Sequence, residues 1–210
     1  MEEHYIRDGQ ELLELRKLAK SIVKEEDTQL QKADKLSAYV KHTITFPSPL
    51  PQDREWYHAS AFESLMKWKI GNCMTYARSL IGLAYSIGIE GRKVSICGAV
   101  DGYEQTQGHV LCELKIDGKW IVFDAMYGAP FLGTHKVYLD GTEEDYTPKT
   151  PSAYECWKNP DLYRTLINPK YLAFSKKFWE QIWYDFGIVE EPRIREMGEK
   201  AFLEKWYVEA

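Results

Sequence analysis

The chain has no apolar run approaching the roughly 20 residues that a membrane-spanning helix needs. Its amino terminus, MEEHYIRDGQ, is acidic and polar and lacks the apolar core of a secretory signal. No Asn-X-Ser/Thr sequon occurs. Cysteine is scarce, with four residues (Cys73, Cys97, Cys112 and Cys156) and no C-x-x-C pair. That excludes a disulfide scaffold and provides no zinc-ligand spacing, so no metal and no cofactor are expected. Formal net charge is -5, from 27 basic and 32 acidic residues, and no basic block stands out. Nucleic acid and anionic membrane are therefore poor partners, and a reducing cytoplasm is the expected setting.

At 210 residues, 44% hydrophobic and 14% aromatic, the chain can bury one sizeable core with an appended subdomain. The most informative stretch is Gly71-Asn72-Cys73-Met74-Thr75-Tyr76-Ala77. Asn72 is a good N-cap, and Gly71 allows a sharp turn before it. Tyr76, Ala77, Leu80, Ile81, Ala84 and Ile87 then recur at helical spacing, with Gly88 as the stop. Cys73 is thus expected in the first turn of a buried helix. Unpaired N–H groups and the positive helix end favour a thiolate there and could bind an oxyanion. Taken alone, Cys73 reads more simply as a small buried hydrophobe.

Upstream, Leu12, Leu15, Leu18, Ala19 and Ile22 mark one helix within 11–24. Thr28 and Gln31 form a capping box for a second helix, carrying Leu30, Ala33, Val40 and Ile44. His42 reads as a surface or capping residue. Phe46 to Pro51, rich in proline, must be an extended connection. Ser60 and Glu63 form another capping box, opening a short helix to about Lys67.

Downstream, Arg92 to Ala99 reads as a strand and Asp101 to Gly108 as a polar loop. His109 to Ile116 and Lys119 to Asp124 alternate around Asp117-Gly118, the strongest short hairpin signal. With those two as turn residues, Cys112 faces Phe123, Leu114 faces Ile121 and Ile116 faces Lys119. Val110, Cys112 and Leu114 then share an apolar face. His109, Leu111, Glu113, Trp120, Val122 and Asp124 share the other, with Asp124 diagonal to His109 at roughly 5–8 Å. A one-residue slip would scramble the apolar face and separate the pair. The spacing predicts that His109 and Asp124 project together toward the N-terminus of the Cys73 helix. A lone His at a strand start is ordinarily a polar edge residue, and a lone Asp at a strand end a turn former. Beside a helix-capping cysteine, the pair can fix a histidine tautomer and hold a thiolate.

Helix, Gly-X-Cys, helix, Gly-Ile, strand, His-strand, Asp-Gly-Lys-Trp-strand, Asp: this order resembles the transglutaminase-like superfamily of papain-type cysteine enzymes. The matching segments are GNCMTYARSLIGLAYSIGIEGRKVSICG, GHVLCELKIDGKW and IVFDAMYG, within roughly residues 10–130. The resemblance implies an α+β fold, an antiparallel sheet packed against the nucleophile helix, and a triad of Cys73, His109 and Asp124. It implies acyl transfer through a thioester, on a peptide or protein substrate bearing a carboxamide, with water or an amine as acceptor. A catalytically silent peptide-binding module is the alternative, and the intact triad argues against it. Two departures stand out. Many relatives follow the aspartate with proline, whereas Ala125-Met126 follow here. Papain-like enzymes have an oxyanion-donating glutamine before the cysteine, where this chain reads Lys67-Trp68-Lys69. The Trp68 indole and the Asn72 amide are candidate donors, although a core or capping role is the simpler use of each.

Residues 1–140 are expected to form the catalytic domain and 141–210 a helical extension packed on it. Asn159-Pro160 and Asn168-Pro169 read as helix starts. Tyr171, Phe174, Phe178, Ile182 and Phe186 read as a helical stripe beside Trp179 and Trp183. A last helix beginning near Glu191-Pro192 carries Ile194, Met197, Phe202 and Trp206. These aromatics are expected to pack the extension onto the triad domain. Cys97 and Cys112 are expected as free strand cysteines, and His135 as a surface residue with no identified partner.

Overall fold

A computed structural model describes residues 5–49, 51–52, 55–99, 106–137, 141–166, 179, 181–186, 189–190 and 194–207. Helix α1 (Gly9–Ile22) is capped by Asp8, and α2 (Gln29–Thr43) by the Thr28–Gln31 capping box. Ser60 and Glu63 cap α3 (Ala61–Glu63), which runs on as a π-helical turn, Ser64–Trp68. Helix α4 (Cys73–Ser86) follows, then strands β1 (Gly91–Ala99), β2 (Thr106–Ile116) and β3 (Lys119–Phe123). Beyond them lie β4 (His135–Val137), β5 (Glu143–Asp145), α5 (Ala153–Lys158) and α6 (Asp161–Leu166). Strands β6 (Gln181–Phe186) and β7 (Val189–Glu190) and helices α7 (Ile194–Met197) and α8 (Glu199–Trp206) end the described chain. No helix among the described residues is long and apolar enough to cross a membrane.

The main sheet is antiparallel, in the order β3-β2-β1-β6-β7. Its central hairpin has the expected register: Cys112 opposite Phe123, Leu114 opposite Ile121 and Ile116 opposite Lys119. Asp117 (φ 49°) and Gly118 (φ 83°) make the turn, both left-handed as a two-residue hairpin requires. On one face Cys112, Leu114, Ile116, Ile121 and Phe123 meet Leu80, Ile81 and Ala84 of α4. Helices α1 and α2 close that layer from outside with Leu15, Ala19, Leu36 and Val40. On the other face Val94, Ile96, Leu111 and Val122 meet Cys156, Tyr163, Trp179, Ile194 and Phe202. Each large side chain so buried contributes roughly 1.5–3 kcal/mol. The sheet is therefore covered on both sides, and the aromatic C-terminal segment supplies one cover. The fold is α+β.

Four expectations change. Ile182 and Phe186 stand on strand β6, not on a helix, and β6 pairs with β1 through Ile96–Ile182 and Val94–Tyr184. The run Gln-Ile-Trp-Tyr-Asp-Phe is aromatic and branched enough for a strand, and it covers the edge β1 would otherwise expose. The extension is accordingly not wholly helical. Asn159 closes α5 rather than capping the next helix, and α6 starts at Asp161. His135 does have partners: across the β4–β5 pair it lies 3.3 Å from Asp145 and 3.4 Å from Glu143. The loop expected over Asp101 to Gly108 is shorter, because Thr106, Gln107 and Gly108 already belong to β2 and pair with Ala99, Gly98 and Cys97. Residues 101–105, Asn168-Pro169, Tyr171, Phe174, Phe178 and Glu191-Pro192 lie outside the described residues.

Candidate active site

Helix α4 begins at Cys73 because Asn72, in extended conformation, accepts from the Thr75 N–H through Oδ1 at 3.4 Å. Gly71 is needed for close contact, its φ lying outside the left-handed region. A Cβ there would sit 2.3 Å from the Thr75 side chain. The elbow is pinned from behind: Thr45 N donates to Lys69 O, Gly71 N donates to Thr45 O, and Lys69 takes a left-handed φ of 53°. Tyr76, one turn into the helix, donates its hydroxyl to Ile44 O at 2.6 Å. Cys73 is thus held at a fixed helix start, half-buried.

His109 and Asp124 come from the hairpin face that carries Leu111 and Val122, as the register predicts. The body of α4 lies on the opposite face. Contact with the sulfur is made at the sheet edge, since β3 pairs with β2 only as far as Cys112. Beyond that point the Val110 backbone and the His109 side chain come near enough to the Cys73 sulfur to lower its pKa. On its other side His109 Nε2 lies 2.6 Å from Asp124 Oδ2. That commits Nε2 to the carboxylate. Both residues are buried, at 6% and 2% exposure, so the pair is screened little by water.

Asp124 is fully satisfied. Oδ1 accepts from the Met126 N–H at 3.1 Å and the Tyr127 N–H at 3.3 Å, an Asx-type turn that ends β3. Oδ2 accepts from His109 and from the Tyr163 hydroxyl at 2.5 Å. The residue is therefore a turn former and a histidine partner together. The Tyr127 ring lies 5.2 Å from the His109 ring, tilted by 54°.

The electrostatics follow from this wiring. Burial alone would push the Cys73 thiol up. The hydrogen bond and charge of His109, with the Val110 N–H, outweigh it and leave the thiol below its ordinary value of 9.0. Burial opposes charge on His109 too, but the Asp124 carboxylate and the Cys73 sulfur raise it to about 10. Asp124 is held below its ordinary value despite burial, by His109, then Tyr163 and the Tyr127 N–H. Both shifts favour a thiolate beside an imidazolium. Cys112 and Cys156, by contrast, are driven well above the ordinary thiol value by burial.

The other two sequence candidates have local uses. The Asn72 carbonyl caps α4. Trp68 ends the π-helical turn, half-buried, with Lys67 Nζ 4.5 Å from its ring centroid. Among the described residues no group of three or more His, Cys, Asp or Glu is placed to hold a metal. Two contributors escaped the sequence. Tyr163 reaches Asp124 across 39 residues through tertiary packing alone, and no local pattern announces that. Tyr127 stood in plain view three residues after Asp124, where an Asx turn carries its ring back over the strand.

Residues 16–125 match the family model described as the transglutaminase-like superfamily, core region. No curated protein matches the chain. Several solved structures are similar to it, these three among them. One, from Cytophaga hutchinsonii and named as a candidate cysteine protease, is 18% identical with TM-score 0.45, over 67% of this chain and 50% of its own. Another, from Parabacteroides distasonis ATCC 8503 and named as a candidate protease, is 14% identical with TM-score 0.39, over 65% of this chain and 28% of its own. A third, a TGase, is 14% identical with TM-score 0.37, over 55% of this chain and 31% of its own. The chain thus spans half or less of the length of each of these structures.

Proposed function

Since the chain belongs to the transglutaminase-like superfamily, we propose that it is a cysteine-dependent acyl-transfer enzyme acting on amide bonds of a peptide or protein. The observation that carries this reading is the buried His109–Asp124 pair, 2.6 Å apart, set beside the Cys73 sulfur so that His109 acts on its charge. Cys73, as thiolate, attacks the carboxamide or peptide carbonyl carbon. Negative charge moves to the carbonyl oxygen, where free N–H groups of the first turn of α4 can meet it. His109 then gives its proton to the departing amine, and a thioester on Cys73 remains. Water or a second amine, deprotonated by neutral His109, attacks the thioester and releases the thiolate. Asp124 holds the ring in one tautomer and stabilises the imidazolium at each stage.

Hydrolysis and transamidation use the same three residues and differ only in the acceptor. Residues 1–140 supply the nucleophile, base and carboxylate in this reading, and 141–210 supply the second cover of the sheet. Trp68 and Asn72 are the sequence candidates for a second oxyanion donor, but capping by Asn72 and packing by Trp68 are the simpler roles. The deciding experiment incubates a peptide library with the protein and a primary amine, with products read by mass spectrometry. Chain cleavage means a peptidase, and ammonia loss alone an amidase. Ammonia loss with amine gain means a transglutaminase. No product from untreated wild type, at a pH where a parallel sample's Cys73 reacts with iodoacetamide, would sink the enzyme reading.

A further inference from the structure

Asp124 Oδ2 serves two donors at once. His109 Nε2 approaches at 2.6 Å and the Tyr163 hydroxyl at 2.5 Å. Tyr163 is wholly buried, and its ring packs edge-on against Trp179 with centroids 5.1 Å apart. It stands on α6, beyond the 16–125 segment that matches the family. The other carboxylate oxygen already carries two backbone N–H bonds. Asp124 therefore does not need Tyr163 to fix its rotation. What the hydroxyl changes is the share of negative charge left for the histidine.

We propose that Tyr163 is a positioning residue that divides Asp124 Oδ2 with His109 and so limits how tightly the imidazolium is held. The proposal rests on the acyl-transfer reading above. In that reading His109 must hand its proton to the leaving amine. A carboxylate in a dry site, serving one donor only, would hold that proton too firmly. A second donor on the same oxygen draws off part of its charge and leaves the ring a better acid. The other titratable groups bearing on this cluster are Cys73 on α4, Tyr127 in the turn after Asp124, Cys156 on α5 beside Tyr163, and Cys112 on β2, which burial keeps protonated. Burial keeps Cys156 neutral, so it does not compete. No other part of the mechanism makes use of the C-terminal segment.

The test is Tyr163→Phe, which keeps the ring and removes only the hydroxyl. Two substrates are compared, an amide whose amine must be protonated to leave and an activated ester whose phenolate leaves unaided. Turnover of the amide should fall roughly three- to tenfold and that of the ester less than twofold, because only the first step needs an acidic imidazolium. The alkaline end of the thiolate–imidazolium state should move to higher pH. It is read by nuclear magnetic resonance titration of the His109 ring, with His109→Gln as the blank, because the proton lost at that end leaves the imidazolium while the thiolate persists. Site-specific 3-fluorotyrosine at position 163, a stronger donor, should move that end to lower pH. It also decides the matter if Tyr163→Phe does not fold. Equal losses on ester and amide, or an alkaline end unmoved in both variants, would show that Tyr163 only packs. A wild-type protein with no thiolate absorbance near neutral pH removes the acyl-transfer reading and this proposal with it. Thiolate present in wild type with no ester–amide split in the variants removes this proposal alone.

Discussion

Two carboxylates sit on the same face of the central hairpin, both buried and both fully satisfied. Asp124 is bonded by two backbone N–H groups, by the Tyr163 hydroxyl and by His109. Glu113 is bonded by the Ala153 N–H at 2.6 Å, by the Tyr207 hydroxyl at 2.8 Å and by Arg92 at 2.7–2.8 Å. The inventories match: peptide N–H, tyrosine, cation. They differ in what the cation can do. A guanidinium cannot release a proton at any pH a protein meets, whereas an imidazole can. Arg92 is stacked 4.0 Å from the Trp120 ring centroid and donates to Trp206 O at 2.7 Å. It ties the sheet to the C-terminal helices and carries no chemistry. Satisfying a buried carboxylate is thus a general structural need. Only a partner able to give and take a proton, placed beside a nucleophile, turns that need into a site.

The sharpest break in the comparison removes the nucleophile. Cys73→Ala should abolish turnover and shift the melting temperature by no more than a few degrees, since alanine suits a helix start and little volume is lost. A large drop in melting temperature would instead make Cys73 a structural residue. Next comes Asp124→Asn, which keeps the shape and removes the charge that holds the imidazolium. Serine triads lose about four orders of magnitude on this change. Here the loss should be roughly two to three orders in kcat with KM nearly unchanged, because the helix terminus and the Val110 N–H already favour the thiolate. Pre-steady-state acylation would be measured beside steady-state turnover. Full activity would reduce Asp124 to a turn former.

Glu113→Gln tests the other carboxylate. It leaves Arg92 charged and buried without its counter-ion, which costs about 3–5 kcal/mol. The melting temperature should fall by roughly 10 °C. Turnover per folded molecule at low temperature should stay within about twofold of wild type, since Glu113 touches no reacting group. A kcat loss as deep as that of Asp124→Asn would mean that the two carboxylates share one network.

The pH dependence separates them again. Cys73 lies below 9.0 and His109 is raised to about 10. A depressed thiol pKa contributes while pH is above it and is lost as pH falls through it. A raised imidazole contributes below its ordinary value and is lost as pH rises through about 10. kcat/KM should therefore decline at the acid end through Cys73 and at the alkaline end near 10 through His109. Iodoacetamide at pH about 6 should alkylate Cys73 at least about a hundredfold faster than Cys112 or Cys156, which burial keeps as thiols. Equal rates would return Cys73 to the status of an ordinary buried cysteine.

Much of this arrangement was legible in the chain. Asp117-Gly118 and strict alternation determine the hairpin register, and the register brings His109 and Asp124 together. Gly71-Asn72 and the stripe from Tyr76 to Ala84 determine where the nucleophile helix begins. The strand β6 was not legible, for a definite reason. Positions 182 and 186, four apart, share a face under a helical period and under a strand period alike. Only the open edge of β1 decides between them, and that edge exists only in the folded sheet. The same holds for Tyr163 and for the Arg92–Glu113 pair, whose contacts span 39 and 21 residues.

The smallest expected effect concerns Asn72, where capping and catalysis can be told apart. Its Oδ1 accepts from the Thr75 N–H, and Thr75 is buried beneath the turn. Serine caps a helix about as well as asparagine but has no amide N–H. If Asn72 only caps α4, Asn72→Ser should change stability by a few tenths of a kcal/mol and kcat by less than about twofold. If its amide is the missing oxyanion donor, stability should stay the same while kcat falls roughly a hundredfold, the loss typical of removing one such donor. The companion change Asn72→Ala removes cap and amide together and should cost about 1 kcal/mol in either case. The kinetic difference between serine and asparagine, at matched melting temperature, therefore reports the oxyanion role alone. We expect the small value, because the carbonyl side of Asn72 is already turned to the helix and Cys73 opens that helix with free N–H groups of its own.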